Sequence, residues 1–343
     1  MRILVIKRDK IGDLLLTTPM LAHLRRSRPG DEIHLLANDY NAWVVKDAPE
    51  IDRLWVYPRV RTGRTVSLSA AIGSTWQLLA LRRARFDVAI VANGTESHRA
   101  IKRALGVGAK RVIAYVDDPA RWPRVSDPLR VDLELHEADA LLATLAPLGI
   151  AAPTEPLWPT FALPAAQQTF AESWLAERGL ATRKYVVLGL GARRAKKQPT
   201  RDQILRWSER FKRDLALDTV FMWTPGNSDS PLYPGDDDVA QPVLDAKAAW
   251  IHPFRGPILP ALGLIWNART SLFPDSGLMH FAAASPGGVL GFFAETDVSP
   301  APVNWGPRGP RATYLEAEKS VAELDDDAVF DRVRRLASVI SER

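Results

Sequence analysis

Two rounds of the same alternation dominate this chain: short apolar runs with strand character, each followed by a stretch with helical spacing. In the first round the strands are Arg2–Ile6, Glu32–Ala37, Arg53–Tyr57, Phe86–Val91 and Arg111–Tyr115, with helical patterns at Asp13–Arg26, Ala42–Asp47, Ser67–Arg83, Glu96–Leu105 and Leu133–Leu148. The second round has strands at Tyr185–Leu190, Thr219–Trp223, Thr270–Phe273 and Gly288–Phe293. Its helices fall at Ala165–Arg178, Thr200–Leu215, Ile258–Asn267, Ser276–Ala284 and Glu323–Ser341, and Pro225–Pro242 reads as loop. A run that is apolar throughout suits a strand buried on both faces of a parallel sheet, and strand–helix alternation argues for an α/β fold. Pro147, Pro153, Pro156, Pro159 and Pro164 crowd the join between the rounds, where repeated prolines suit neither ladder nor helix interior. The expectation is two doubly wound, Rossmann-like domains, residues 1–160 and 161–343, facing a central cleft, with the last helix packing back on the first domain. Ligands of such sheets bind beyond the carboxyl ends of the strands.

Three stretches at those ends carry chemistry. Asp275-Ser276-Gly277 is a tight turn opening a helix, whose free N–H groups and positive dipole end suit an anion. His280 follows one turn later, a position where histidine is commonly structural. Gly189-Leu190-Gly191 ends a strand, and Arg193, Arg194, Lys196 and Lys197 follow it closely. Cations there stabilise a leaving diphosphate more than the intact donor. The third glycine of a dinucleotide fingerprint is missing, because Arg194 stands in its place. Lys7 to Asp13 follows the first strand; Gly12 would let the backbone turn, and Asp13 would open the helix, either as its cap or as a base for an acceptor hydroxyl. Asp9 is the rival base.

Composition narrows the classes. Charged residues make up 25% and apolar residues 46%, as in ordinary globular chains. With no cysteine, disulfides and thiolate metal sites are excluded. The histidines lack ligand spacing, and Asp236-Asp237-Asp238 has none nearby, so a metal site is not expected. No apolar run approaches membrane-spanning length, and Met1–Lys7 reads as a strand rather than a leader. The net charge of +5 is uneven: the basic clusters lie in the first half and the acidic runs in the second. A basic first half suits phosphorylated glycolipid, an anionic membrane surface or nucleic acid.

Lys7–Pro19, Ala192–Pro199 and Asp275–Ala284 together resemble the ADP-heptose:lipopolysaccharide heptosyltransferases, glycosyltransferase family 9, over nearly the whole chain. Gly291-Phe292-Phe293 leading into Thr296-Asp297 resembles that family's next strand and loop. The resemblance implies a GT-B fold, acceptor on the first domain, nucleotide sugar on the second, and inverting, metal-independent transfer. It implies Asp13 as base and Lys196 as the phosphate-binding lysine, with Arg193 and Arg194 beside it. Asp275, Ser276, Gly277 and His280 match the donor motif, and Lys7, Lys10, Gly12, Arg61 and Arg64 are assigned to the acceptor. The implied co-substrate is ADP-heptose with no separate cofactor, and the partner an anionic glycolipid or saccharide rather than nucleic acid. Such proteins are cytoplasmic, peripheral at the inner membrane. This chain differs at Gln198, where the family has Trp, at Ala192, and in the Thr224–Asp229 loop. The alternatives are an epimerase or hydrolase of nucleotide sugars on the same fold, and a family member that binds glycolipid without catalysis.

Overall fold

The computed structural model describes residues 1–59, 61–62, 65–66, 68–192, 194–229, 235–297 and 301–338. The chain divides into two compact units, Met1–Phe161 and Ala162–Arg343. The first contains β1 (Arg2–Ile6), α1 (Ile11–Leu15), α2 (Thr18–Ser27), β2 (Glu32–Asn38), β3 (Arg53–Tyr57), the short pair β4 (Arg61–Thr62) and β5 (Thr65–Val66), and α3 (Leu68–Ala84). It continues through β6 (Val88–Val91), α4 (His98–Val107), β7 (Arg111–Val116), β8 (Asp127–Arg130) and α5 (Glu137–Ala143). The second contains α6 (Ala165–Ala176), β9 (Tyr185–Gly189), α7 (Arg201–Leu215), β10 (Asp218–Met222), α8 (Asp237–Leu244), β11 (Ile251–Phe254) and α9 (Ile258–Asn267). Then come β12 (Thr270–Pro274), α10 (Gly277–Ala284), β13 (Val289–Ala294), α11 (Pro302–Trp305), β14 (Ala312–Ala317) and α12 (Asp326–Ser338).

Each unit is built on a six-stranded sheet, in the order β3-β2-β1-β6-β7-β8 in the first and β11-β10-β9-β12-β13-β14 in the second. All pairings within both sheets are parallel. The doubly wound α/β reading therefore holds for each unit, with the strand order reversing between β1 and β6 and between β9 and β12. The apolar runs are buried as a parallel sheet requires: Ile3 to Ile6 and Tyr185 to Leu188 show no exposed surface.

Several elements depart from the sequence expectation. The helix expected over Asp13–Arg26 is two helices. Pro19 has no N–H to give the Leu15 carbonyl, and the Thr18 hydroxyl takes that carbonyl at 2.8 Å instead. Asp13 does not open the helix. It lies in the first turn of α1, and its carboxylate accepts the Lys10 N–H at 3.2 Å. Gly12 is helical and makes no sharp turn. Leu133–Leu148 shortens to α5, and the supposed loop before Pro242 holds the start of α8, which Asp237 and Asp238 stabilise from its first turn. The edge strands β8, β11 and β14 are additional; Pro128 and Pro253 disguise the first two.

Trp207 and Phe211 of α7 pack with Phe292 of β13, and the same core takes in Val329, Phe330 and Val333 of α12. A fully buried side chain of this kind contributes roughly 1.5–3 kcal/mol. Gly189 ends β9 opposite β12 and has no room for a side chain: a Cβ there would lie 2.1 Å from the ring of Phe273. Gly189→Ala is expected to destabilise the chain by about 1–3 kcal/mol in denaturant unfolding, and Phe273→Leu in the same chain should recover part of that loss. An unchanged midpoint would show that β12 yields freely at this point.

Candidate functional site

A doubly wound sheet opens a crevice where its strand order reverses, beyond the carboxyl ends of the two central strands, because the helices leave on opposite faces. Here the two crevices lie after β1 and β6 and after β9 and β12. Among the described residues a side-chain contact crosses each. Asn93, just after β6, donates from Nδ2 to Asp9, just after β1, at 2.5 Å. Lys197, after β9, donates to Asp275, after β12, at 2.7 Å. Each crevice also holds a buried polar atom without a hydrogen-bond partner among the described residues: Asn93 Oδ1 in the first and Ser276 Oγ in the second.

In the first unit Lys7 is the pivot. It is fully buried at the end of β1, with its ammonium 2.9 Å from Glu137 Oε1 and 3.4 Å from Asp9 Oδ2. Glu137, itself buried, also accepts the Gly94 N–H at 3.2 Å. Burial alone would pull the Lys7 ammonium down; Glu137, Asp13 and Asp9 outweigh it and leave it raised. Asp13 is affected in the opposite sense. Burial pushes its carboxyl above the ordinary value of 3.8, Lys7 opposes the shift, and Asp9 and Glu137 add to it. A carboxyl raised in this way holds a proton more firmly than an ordinary aspartate, which suits it to accept one from a hydroxyl. The loop beneath is firmly held: the Asp9 carbonyl accepts Asn41 Nδ2 at 3.0 Å, and the Arg8 carbonyl accepts Asn38 Nδ2 at 2.6 Å.

Beside this network stands a pair of unneutralised cations. Arg8 donates from Nε to the Tyr57 hydroxyl at 2.8 Å, and the Arg103 guanidinium lies 4.1 Å from the centre of the same ring. Burial pulls the Arg103 guanidinium down; Tyr57 opposes the shift, and Arg8, as a like charge, adds to it. Neither arginine meets a carboxylate among the described residues, whereas nearby Arg59 is paired with Asp39 at 2.7 Å.

In the second unit the crevice is a cradle for an anion. Ser276 is the N-cap of α10, and its side chain caps nothing. Gly191 faces it with φ +34°, and a Cβ on Gly191 would stand 3.4 Å from Ser276 Oγ, so glycine keeps this space open. Lys197 is buried against Asp275, while Lys196 is exposed and reaches Glu295 at 3.1 Å; Arg194 lies 3.5 Å from the same carboxylate. Lys196 and Arg194 hold Glu295 below its ordinary range. Gln198 carries structure: its Nε2 bridges the Ala192 carbonyl at 2.8 Å and the buried Asp236 carboxylate at 2.7 Å, fixing the basic loop. His280 is buried one turn into α10.

The structure thus brings Lys7, Asp9 and Asp13 together, and Lys196, Arg194, Asp275, Ser276 and Gly277. Lys7 is a correction to the acceptor assignment, because a fully enclosed ammonium bound to two carboxylates presents no surface to a ligand. Lys10 is exposed at the head of α1, and Gly12 is buried inside that helix. Arg61 lies in β4, while Arg64 and Arg193 fall outside the described residues. Glu137, Asn93 and the Arg8–Tyr57–Arg103 group were missed. Glu137 lies 130 positions from its partner and shows no sequence signal; Lys197 was visible beside Lys196, and only burial separates the two. Among the described residues no group of three or more His, Asp or Glu side chains could hold a metal ion.

No protein-family model matches the chain, and no curated protein matches it in sequence. Solved structures do. A glycosyl transferase of family 9 from Veillonella parvula DSM 2008 superposes with a TM-score of 0.82 at 20% identity, covering 98% of this chain and 97% of that one. The E. coli ADP-heptose lipopolysaccharide heptosyltransferase II gives 0.75 at 18% identity, covering 98% and 99%. The E. coli heptosyltransferase WaaC, solved with ADP, gives 0.75 at 16% identity, covering 98% and 100%. At these identities the likeness establishes the fold, and the fold is the GT-B type of these glycosyltransferases.

Proposed function

We propose that this chain is an inverting, metal-independent glycosyltransferase that moves a heptose from ADP-heptose to an anionic, lipopolysaccharide-type saccharide. The observation that carries the reading is the cradle of the second unit. There the unpartnered Ser276 hydroxyl and the amino end of α10 sit beside Gly191, with Lys196, Lys197 and Arg194 on the same loop. Amides at a helix start together with lysines and an arginine suit a diphosphate. The choice of adenosine and heptose rests on the full-length likeness to the E. coli heptosyltransferases, one of them solved with ADP.

In the proposed step the acceptor hydroxyl oxygen attacks the anomeric carbon from the face opposite the diphosphate. The bond from that carbon to the diphosphate oxygen breaks, and its electron pair leaves with the diphosphate. The hydroxyl proton passes to the Asp13 carboxylate. Charge gathers on the diphosphate as the bond breaks, and Lys196, Lys197 and Arg194 meet it there without a metal ion. Lys197 also neutralises Asp275, which would otherwise repel the phosphates. Arg8 and Arg103, flanking Tyr57, replace Lys7 as the group for the acceptor's phosphate or carboxylate. The acceptor's lipid would bring the chain to the cytoplasmic face of an anionic membrane. Among the described residues no helix is long and apolar enough to cross one.

Asp13→Asn is expected to lower kcat by roughly 10²–10⁴-fold, the usual range for loss of a general base, with ADP affinity unchanged in calorimetry. Transfer at the wild-type rate would remove Asp13 from the mechanism. The same variant should unfold at a higher temperature near neutral pH. The folded carboxyl binds its proton more tightly than the free residue at 3.8, so stability falls as pH rises through the window between those values. Removing the charge relieves that cost. The acid limb of kcat in the wild type should accordingly lie above the ordinary aspartate value. Lys197→Ala should weaken ADP binding by about tenfold to a hundredfold, as expected for about 1.5–3 kcal/mol from a charged hydrogen bond. An unchanged dissociation constant would place the diphosphate elsewhere.

A further inference from the structure

The second unit carries another concentration of positive charge, at the opposite edge of its sheet from the cradle. Arg183 precedes β9, Arg269 stands immediately before β12, and Arg311 immediately before β14. These strands lie within one run of the sheet, β9-β12-β13-β14, so parallel pairing gathers the three residues along its amino edge. Backbone contacts hold the positions: the Arg183 N–H donates to the Asn267 carbonyl at 2.9 Å, the Arg269 N–H to Tyr185 at 2.8 Å, and the Val289 N–H to the Arg311 carbonyl at 3.0 Å. The three guanidiniums are close enough to repel one another.

Arg311 also faces a cavity of about 190 Å³, lined by Pro310, Arg311, Thr313, Arg332, Arg335 and Leu336. Five arginines therefore converge, and none of them meets a carboxylate among the described residues. Elsewhere in the same unit Arg206, Arg210, Arg213 and Arg255 are each paired with an aspartate. Some of the donors are used locally: Arg183 reaches the Ala268 carbonyl, and Arg311 the Leu336 carbonyl at the end of α12. These contacts take one N–H from guanidiniums that each have five. Arg311 Nε is buried and has no acceptor among the described residues. Burial, more than any neighbour, lowers both Arg183 and Arg311, so the partly desolvated charges lack a counter-charge that would offset that cost.

We propose that this edge is a binding site for a phosphate-type oxyanion, formed by Arg183, Arg269 and Arg311 with Arg332 and Arg335 around the cavity. Guanidiniums pair with phosphate oxygens in the planar, two-pronged manner that their donors allow. The site is separate from the cradle. β12 lies between Arg269 and Asp275, and at a rise of about 3.3 Å per residue these two positions lie roughly 20 Å apart. Arg269 marks one end and Asp275 the other, on a single buried strand.

The proposal stands independently of glycosyl transfer, and its test needs no turnover. Inorganic phosphate is titrated into the full chain by calorimetry, and co-sedimentation is measured with phosphatidylglycerol and phosphatidylcholine vesicles. The variants are Arg269→Gln and Arg335→Gln, which leave the Arg311 contact at the end of α12 in place, with circular dichroism to confirm folding. Arg213→Gln, an exposed arginine paired with Asp214, removes the same charge elsewhere. The expected result is phosphate binding that both site variants weaken at least fivefold and that Arg213→Gln leaves unchanged. If only phosphatidylglycerol vesicles bind and the site variants abolish it, the oxyanion is a lipid headgroup; phosphate binding without vesicle binding identifies a soluble ligand. Absence of both kinds of binding overturns the proposal. So does equal weakening by Arg213→Gln, which would mark diffuse attraction to charge.

Discussion

A parallel sheet whose strand order reverses cannot close its middle. The helices that follow the two central strands depart on opposite faces, and the backbone beyond those strands is left facing a crevice. Both units of this chain are built under that constraint, in the same strand order. Each answers it with a side-chain bridge, Asn93 to Asp9 in one and Lys197 to Asp275 in the other. The bridges use only part of the polar capacity at each point, and the remainder, Asn93 Oδ1 and Ser276 Oγ, stays buried without a partner among the described residues. Buried polar atoms left unsatisfied are costly, so two of them in corresponding places direct attention to ligands.

The electrostatics of the two crevices differ in kind. In the first, a fully buried ammonium is enclosed by acidic groups, with Lys7 paired to the buried Glu137 at 2.9 Å. A buried ion pair of this sort is weak evidence for stability, since desolvation offsets most of the attraction, and removing one partner typically costs about 3–5 kcal/mol. Its consequence for chemistry is clearer: it fixes charge beside Asp13, whose carboxyl is raised by burial against the opposing pull of Lys7. In the second crevice Lys197 is buried against Asp275, whereas Lys196 and Arg194 are exposed and Glu295 draws both to one side. That carboxylate is an exchangeable partner for charges that a diphosphate would take up.

The alternation of apolar runs with helical spacing made the central strands and the fold legible, because a strand buried on both faces has no other pattern to show. The edge strands were not legible, since β8 and β11 carry Pro128 and Pro253 and face solvent on at least one side, so neither periodicity nor composition marks them. The cradle was readable from Gly191, Lys196 and Asp275-Ser276-Gly277, where short-range turn and helix-start chemistry is written locally. The first crevice was readable only in part. Asp13 stood out, but the partner of Lys7 comes from α5, and no local rule connects Glu137 to it. Lys7 was consequently assigned to a ligand rather than to the interior, and Arg8, its half-buried neighbour, was passed over. The choice between Lys196 and Lys197 likewise depended on burial, which adjacent identical residues cannot reveal.

The central claim is that the second crevice holds the diphosphate of the donor. Amide hydrogen exchange with and without ADP tests it at the level of the residues named. The account predicts slowed exchange in the peptides spanning Gly189–Thr200 and Pro274–Phe281, where the free amides of the α10 start and the basic loop would be covered. Protection confined to Arg2–Leu16 and Asn93–Glu96, with the α10 start exchanging as in the free chain, would contradict it.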